Sequence, residues 1–402
     1  MGAEASKATN TRELSHISRD QVERTEKQLA NSTKGNSLDR VQFEKVYDKL
    51  QPAAAAIFGV IAEKNKCTLS SVLRLADDLF GDASCQSAAL LKIFGSIAQA
   101  LAGVVSIYAR RNHLSATDSA AMLDFLMLEA PTDESCFESW LVRNTVAGSL
   151  ILNVFSPLIF GEGPNLHPIN SSPSMLSHSG TVILNMQLPS SRRNEWTLLF
   201  SSELHGSSFS QMSKRINEEG PCLVVVKSQE QRIFGCFASA GFHMGPLYHG
   251  DATSFLFEIQ PHIRIYSATG HTQNYAYLNC QQVSLPNGLG IGGYENIWPF
   301  FLHEEYGEGI TLANISSFEK CHLSGSDHFV IKDVEVWRVG EKPRAPLQDD
   351  EFVRNEKSVI DKDPEAKAIL EMTGKTMHSE AYREPAPLLD KDTLVAKPKR
   401  QW

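Results

Sequence analysis

Four β-prone runs in the middle of the chain limit what this protein can fold into. They cover residues 196–200, 222–226, 233–238 and 254–259. Short runs of this kind, separated by turns that contain Gly and Pro, are typical of strands in a packed sheet. Residues 224–226 are all valine, and an uncharged run is expected of a strand that is covered on both faces.

Further segments extend this β-rich region toward the C-terminus. Residues 263–266, 275–278 and 329–339 favour strands, whereas residues 181–188 fit either a strand or a short helix. Many strands with few intervening helices predict a β-sandwich that carries small helices.

The order of these pieces resembles a TLDc domain. Six blocks carry the resemblance, in this order: Trp196-Thr-Leu-Leu-Phe, His205-Gly-Ser-Ser-Phe, Phe234-Gly-Cys-Phe-Ala-Ser, Ser254-Phe-Leu-Phe, Asn287-Gly-Leu-Gly-Ile-Gly-Gly and Val334-Glu-Val-Trp337. Each block is short, but their combination and order are specific. They span about residues 171–340.

The N-terminal part of the chain predicts helices. Two helices are predicted first, over residues 18–29 and 37–46. Apolar residues then recur at spacings of three and four over residues 72–80, 88–109, 119–128 and 137–154. Ser18 and Ser37 are suited to cap the first two of these helices. The chain is therefore predicted to be an α+β protein, with an all-helical domain before the β-rich one.

The first two helices and the polar turn between them resemble the degenerate EF-hand-like part that precedes TLDc in one subfamily. Residues 31–37 lack the alternating Asp ligands and the final Glu of a calcium loop, and Lys34 would repel the ion. We expect no calcium and no other metal in this turn.

Shifts in composition predict the following organisation. In chain order we expect a lipidated N-terminus (1–10), a helical EF-hand-like domain (11–160), a linker (161–179), the TLDc domain (180–340), a second linker (341–362), a C-terminal helix (363–374) and a mostly disordered tail (375–402).

The C-terminal helix has clear start and stop signals. Asp363 is suited to the N-cap, Pro364 to the first helical position and Gly374 to the stop. A helix this short is marginal in water unless its apolar face packs against something. That face docks either on the protein's own core or in a partner's groove. Under the second alternative, the partner-binding residues are Asp363, Ala366, Ile369, Leu370 and Met372.

The N-terminus carries a lipidation pattern. Gly2 becomes the acceptor of an N-myristoyl group once Met1 is removed, and Ser6 occupies the preferred hydroxyl position. A single myristoyl chain gives only marginal, reversible attachment to a membrane. A protein partner on the membrane would therefore have to supply the remaining affinity.

Composition excludes several classes of protein. The net charge of −9, with no long basic stripe, argues against nucleic acid as a partner. Seven cysteines without a Cys-x-x-Cys pair argue against a disulfide framework and a zinc ribbon, and they predict a reduced, cytosol-facing protein. The uncharged stretches 93–109 and 145–161 contain polar residues, so buried helices are expected rather than membrane spans.

The chain shows no assembled catalytic motif. Gly288-Leu-Gly-Ile-Gly-Gly fits G-x-G-x-x-G, but no βαβ unit surrounds it, so a tight backbone approach is expected instead of a cofactor. G-x-S-x-G and H-E-x-x-H motifs are missing. The candidate catalytic side chains are Ser202, Glu203, His205, Ser207, Cys222, Cys236, His243 and His249. Their spacing does not place a nucleophile beside a base, and we expect no catalytic residues and no cofactor.

The resemblance implies a function in protein binding. Together with the N-terminal acceptor and the C-terminal helix, it points to the lipidated, lysosomal, mTOR-associated subfamily of TLDc proteins. It implies a non-enzymatic adaptor on the cytosolic face of lysosomes that binds the V-ATPase and supports mTOR signalling. One alternative is an oxidative-stress-protective TLDc protein with an undefined catalytic or redox activity. Another is a calcium-responsive membrane switch.

Overall fold

The computed structural model describes residues 14–32, 37–161, 163–168, 174–193 and 195–343. They belong to the first of two units, Met1–Pro343, and the second unit, Arg344–Trp402, lies outside the described residues. The lipidation acceptor Gly2 and the expected helix at 363–374 therefore also lie outside them.

Helices make up the N-terminal part, as the apolar spacing predicts. In chain order the described helices are α1 Arg19–Ser32, α2 Arg40–Val46, α3 Ala54–Ile61, α4 Leu69–Leu79, α5 Ala83–Phe94, α6 Ile97–Arg111, α7 Ala116–Leu128, α8 Phe137–Arg143, α9 Thr145–Phe155, α10 His178–Gln187, α11 Ser202–His205 and α12 Phe209–Ile216. Residues 181–188, which fitted two structures by sequence, belong largely to α10.

The two longest predicted helical segments are each interrupted. Gly95 ends α5 with a left-handed φ of +86°, and the hydroxyl of Ser96 then caps α6 by accepting the Gln99 N–H. Asn144 similarly separates α8 from α9, because its side-chain oxygen accepts the Ala147 N–H at 2.9 Å. In both places a local capping contact overrides the apolar periodicity.

The first four helices form two helix–loop–helix units. Their loops contain the short strands β1 Ser37–Leu38 and β2 Cys67–Thr68, which pair in antiparallel fashion as in an EF-hand pair. The predicted cap for α2 is wrong by two residues, since Ser37 lies in β1 and the side chain of Asp39 caps the helix. The second loop carries Lys64 and Lys66, whose charges oppose cation binding.

The strands of the C-terminal part form one antiparallel sheet. They are β3 Trp196–Ser201, β4 Cys222–Ser228, β5 Ile233–Ala238, β6 Gly245–His249, β7 Phe255–Gln260, β8 Arg264–Ser267, β9 Ala276–Asn279, β10 Gly288–Ile291, β11 Phe300–His303, β12 Glu308–Ile310 and β13 His328–Val339. Their order is β6-β9-β10-β11-β12-β13-β4-β5-β7-β8, and β3 pairs with β13 beside this path. The sequence analysis did not predict β6, β10, β11 or β12.

This sheet folds over on itself, which gives the expected sandwich. Phe234 on β5 lies 6.3 Å, centroid to centroid, from Phe300 on β11, although three strands separate β5 from β11 in the sheet. Phe234 also packs edge-on against Phe329 on β13, at 4.9 Å. The long strand β13 belongs to both halves, because it pairs with β12 near its start and with β3 and β4 further along.

The glycine-rich run is a strand in this sheet. Gly288–Ile291 is β10, and it pairs with β9 and β11. A Cβ at Gly290 would lie 2.6 Å from a ring carbon of Phe301 and 2.7 Å from one of Trp298, so a side chain has no room there. The expected tight backbone approach is confirmed, and its cause is the Phe301 ring and the Trp298 indole that cover the strand.

The helices and the sheet share one apolar core. Strand alternation sends Leu223 and Val225 on β4 toward the helices, whereas Val224 and Val226 face the interior of the sandwich. Asn185 on α10 is fully buried in the shared core. Its amide N–H donates to the Leu166 carbonyl at 3.0 Å, and its carbonyl accepts the indole N–H of Trp196 at 3.2 Å.

A buried carboxylate ties the segment before α10 to the sheet. Glu335 on β13 accepts hydrogen bonds from the Ser174 hydroxyl, the Met175 N–H and the indole N–H of Trp337, at 2.9 to 3.0 Å. Burial raises the pKa of Glu335, and these three donors offset only part of that rise.

Changing Glu335 to glutamine should remove part of the pH dependence of stability. The pKa of Glu335 is raised on folding, so the stability that its proton adds is full below the unfolded pKa and is lost as the pH rises through the folded pKa. The free energy of unfolding of the wild type minus that of Glu335→Gln should therefore decrease as the pH rises above about 4. Urea denaturation at a series of pH values measures it, with exposed Glu230→Gln as the control. A difference that does not change with pH would contradict this expectation.

Among the described residues, no single helix is long and apolar enough to span a membrane. Two pairs reach the required length only together, and each is sharply bent. The first is Ala83–Phe94 with Ile97–Arg111, at 88°, and the second is Glu134–Arg143 with Thr145–Ile159, at 95°.

Candidate functional site

The residues that the sequence singles out for lipidation and partner binding all lie outside the described part of the chain. They are Gly2, Asp363, Ala366, Ile369, Leu370 and Met372. Their roles stay predictions. What the structure does define is the place on the sheet from which the C-terminal segment departs.

This departure point is held by a cluster of charges, which we call the exit clamp: Glu219, Arg338 and Lys342. One carboxylate oxygen of Glu219 accepts from the Arg338 guanidinium at 2.9 Å, and the other accepts from the Lys342 ammonium. Arg338 also donates to the Thr197 hydroxyl at 3.3 Å. Burial alone would raise the pKa of Glu219, but the bonds and charges of Lys342 and Arg338 lower it overall. Glu219 is therefore held as the anion.

The backbone next to the exit clamp is also constrained. Gly220 has a φ of +89°, and a Cβ there would lie 2.5 Å from the ring of Pro343. The chain beyond Pro343 therefore begins at a fixed point on the sheet. Sequence reasoning missed the clamp because Glu219 and Arg338 are 119 residues apart, and neither position belongs to a motif.

The turn that contains four of the eight candidate catalytic side chains forms hydrogen bonds with the neighbouring backbone. The Nδ1 atom of His205 accepts the Ser201 N–H at 3.0 Å, and its ring stacks on Phe200. The Ser202 hydroxyl accepts the Val334 N–H at 3.0 Å. His205 thus closes the turn on the end of β3, and Ser202 ties the same turn to β13.

The two central cysteines are fully buried. Cys222 on β4 and Cys236 on β5 lie in the interior of the sandwich, and burial raises the pKa of both thiols. A thiol in this environment stays protonated and unreactive, because only the thiolate is a good nucleophile. Cys236 therefore packs as a small apolar side chain, as expected.

The remaining candidate pair lies at the edge of the sheet. The rings of His243 and His249 are 4.4 Å apart, and burial followed by the charge of His243 lowers the pKa of His249. Within the described ranges, no group of three or more His, Cys, Asp or Glu side chains could hold a metal ion.

The same edge exposes apolar side chains. On and beside β6, Leu247 is 66% exposed and Met244 is 41% exposed. The sulfur of Cys280 lies 3.7 Å from that of Met244, and the exposed Val283 and Leu285 follow Cys280 in the chain. An exposed apolar cluster at a sheet edge is the kind of surface that proteins use to bind one another.

Comparison with known proteins gives consistent results along the chain. Residues 169–340 match the family model of the TLDc domain. The MTOR-associated protein MEAK7 of Gallus gallus is 33% identical over 304 residues, which cover 70% of this chain and 62% of that protein. The protein of the same name from Homo sapiens is 38% identical over 213 residues, 52% of this chain and 46% of that protein.

A more distant relative shares only part of the chain. Oxidation resistance protein 1 of Xenopus tropicalis is 28% identical over 179 residues, 44% of this chain and 20% of that protein. The chain spans about three fifths or less of the length of the MEAK7 relatives that it matches. The likeness to them reaches beyond the TLDc match, since that match covers 172 residues (169 to 340) of the 402 in the chain.

Proposed function

Since this chain contains a TLDc domain at residues 169–340 and is homologous to the mTOR-associated MEAK7 proteins, we propose that it is a non-enzymatic adaptor in mTOR signalling. The observation that carries this proposal is the extent of the likeness, 70% of the chain, which includes helices as well as the sheet. An adaptor binds its partners through its surface. The shared apolar core holds the helices and the sheet together, so their surfaces keep a fixed arrangement.

We further propose that the protein works on the cytosolic face of the lysosomal membrane and binds the V-ATPase. Support comes from the N-terminal acceptor pattern at Gly2 and from the helix signals between Asp363 and Gly374. A single acyl chain holds a protein weakly, so a pump already in the membrane would supply the second point of attachment.

The exit clamp gives this proposal a mechanical basis. The segment that carries the predicted partner helix starts from a point fixed by Glu219, Lys342 and Pro343. From that point, 19 residues (344 to 362) lead to the predicted helix start at Asp363. An extended chain spans at most about 3.5 Å per residue, so the helix can contact a site as far as about 65 Å away. The sheet can thus bind one subunit while the helix binds another.

Placing aspartate at both Ile369 and Leu370 should abolish most of the V-ATPase binding. Both side chains lie on the predicted apolar face of the helix, and a charge in an apolar groove is strongly unfavourable. The measurement is the amount of pump that co-purifies with the tagged protein from solubilised lysosomal membranes. Undiminished binding would contradict the role of the helix.

The matched control changes Val359 and Ile360 to aspartate, because these apolar residues lie in the same tail but outside the predicted helix. That variant should bind like the wild type. A Gly2→Ala variant in the same experiment separates the anchor from the partner. It should leave the membrane fraction yet still bind solubilised pump. The proposal as a whole is refuted if neither Gly2→Ala nor the change of Ile369 and Leu370 to aspartate alters the result.

The second candidate function is protection against oxidants, favoured by the likeness to Oxidation resistance protein 1. Under this alternative, purified protein should turn over peroxide or an ester and should lose that activity on replacement of Cys236, Glu203 or His205. The buried thiol of Cys236 and the engaged ring of His205 argue against it.

A further inference from the structure

A groove of about 580 Å³ lies where the helices meet β8, and we call it the junction groove. Its walls come from the end of α7, the turn between α8 and α9, the end of α10, β8 and the loop before β13. Sites for small molecules commonly have this volume. None of the catalytic candidates from the sequence lines it, so it is a separate feature of the fold.

Three cations from three different segments line the junction groove: Arg143, Arg264 and Lys320. None of them forms a salt bridge with a carboxylate of the described residues, although Arg264 lies close enough to Glu258 to influence its charge. Side chains of this kind repel one another unless an anion lies between them. Their convergence on one groove favours a negatively charged ligand.

The start of α9 adds backbone donors to the same wall. Thr145 and Val146 are the first two residues of this 11-residue helix, and both line the groove. Asn144 caps the N–H of Ala147, two residues beyond Thr145. The first N–H groups of a helix carry a partial positive charge and are a common binding place for phosphate.

The side chain of Trp140 forms part of the same wall. Trp140 is only 5% exposed, and its indole N–H has no hydrogen-bond partner within the described part of the chain. The indole nitrogen itself is inaccessible from the groove, so Trp140 contributes its ring to the apolar surface of the wall.

The other walls limit what kind of anion fits. The carboxylates of Glu129 and Glu319 also line the groove, and one oxygen of Glu319 already accepts the Ser267 N–H at 2.9 Å. Three cations and two carboxylates give the groove a net positive charge, which favours one compact anionic group. Phe125 and Ile265 provide apolar surface beside it, which suits an organic body better than a free inorganic ion.

We propose that the junction groove binds a small organic phosphate. The phosphoryl group lies beside Arg143 and the first turn of α9, within reach of Lys320, and the organic body packs on Phe125 and Ile265. A phosphoryl group offers three strong acceptor oxygens, which matches donors that come from several directions. The site goes beyond the proposed adaptor function, because it assigns the protein a ligand that bridges its helices and its sheet. A free metabolite and a lipid headgroup share this chemistry.

The test is isothermal titration of the purified full-length chain with AMP, adenosine and inorganic phosphate, and a flotation assay with vesicles of phosphatidylcholine containing phosphatidylinositol 4-phosphate. The double variant Arg264→Glu/Lys320→Glu reverses two exposed charges. It should weaken binding at least about tenfold, because Lys320 loses a charge-assisted hydrogen bond and the new carboxylate at each of the two positions repels the phosphoryl group. The matched control is Lys214→Glu, an exposed cation on α12 that does not line the groove.

The outcomes separate the sources of the phosphate. Binding of AMP that the double variant loses and the control retains supports a soluble ligand, with adenosine and inorganic phosphate each weaker. Binding of the vesicles alone, with the same dependence on the groove, supports a lipid headgroup. The proposal is overturned if neither AMP nor the vesicles bind the wild type, or if the double variant binds them as well as the wild type does. Circular dichroism of the variants checks that they are folded, and loss of V-ATPase binding by the Ile369 and Leu370 changes would not affect either result.

Discussion

Replacing Gly235 with alanine should lower the free energy of unfolding by more than about 3 kcal/mol. Gly235 is in the middle of β5, between β4 and β7. A Cβ at this position would overlap the carbonyl oxygen of Val224 and lie 2.8 Å from the ring of Phe257. Both neighbours are held by the sheet and the core, so the added methyl group can be accommodated only by separating strands.

Urea denaturation followed by circular dichroism measures this effect, and Gly148→Ala is the matched control. Gly148 lies within α9, and a Cβ there meets no atom within 4 Å. The control should raise stability by about 0.5–1 kcal/mol, because alanine favours the helix over glycine. Equal stability of the two variants would show that the close approach of β4 and β5 is not as tight as the structure has it.

Replacing Asn185 with leucine should destabilise the protein by roughly 2–5 kcal/mol, because it leaves two buried groups without partners. The Leu166 carbonyl loses its donor, and the indole N–H of Trp196 loses its acceptor. Leucine has the same branching and the same number of side-chain heavy atoms as asparagine, so it opens no cavity and the loss comes mainly from hydrogen bonding. Chemical denaturation of the single variants measures it.

A double variant tests the cause of this loss. In Asn185→Leu with Trp196→Phe, the orphaned indole donor is removed along with its acceptor. The double variant should therefore be more stable than the sum of the two single effects predicts, by about 1 kcal/mol or more. Strict additivity would mean that the Asn185–Trp196 hydrogen bond does not join α10 to β3 energetically.

The strands that sequence could predict are those whose apolar residues form uninterrupted runs. Residues 222–226 and 233–238 are strands because they lie in the centre of the sheet with apolar layers on both faces. The runs that escaped prediction are short or glycine-rich, such as β10 Gly288–Ile291 and β12 Glu308–Ile310. Their pairing depends on a covering indole and on neighbours far away in the chain, which no local pattern records.

The helical part shows a similar limit. Apolar spacing predicts α4 and α7 closely, yet it passes over the breaks at Gly95 and Asn144. Those breaks are set by a left-handed glycine and by a side-chain cap, which weigh more than periodicity at a helix end.

The candidate sites divide in the same way. Gly2 and the residues around Ile369 are local motifs that can be read from a few neighbouring positions. The exit clamp joins positions more than 100 residues apart, and the junction groove is assembled from five separate segments. Sequence spacing carries no information about such contacts, so they appear only once the chain is folded.

The position of β13 has a mechanical consequence for any protein that pulls on the C-terminal segment. That segment leaves directly after β13, and β13 lies between β3 and β4 over its last residues. A force directed along the strand would act in shear on the backbone hydrogen bonds to β3 and β4. All of these hydrogen bonds would then bear the force at the same time, instead of breaking one after another. A tether fixed at this strand can thus transmit tension to the whole sheet before the sheet itself gives way.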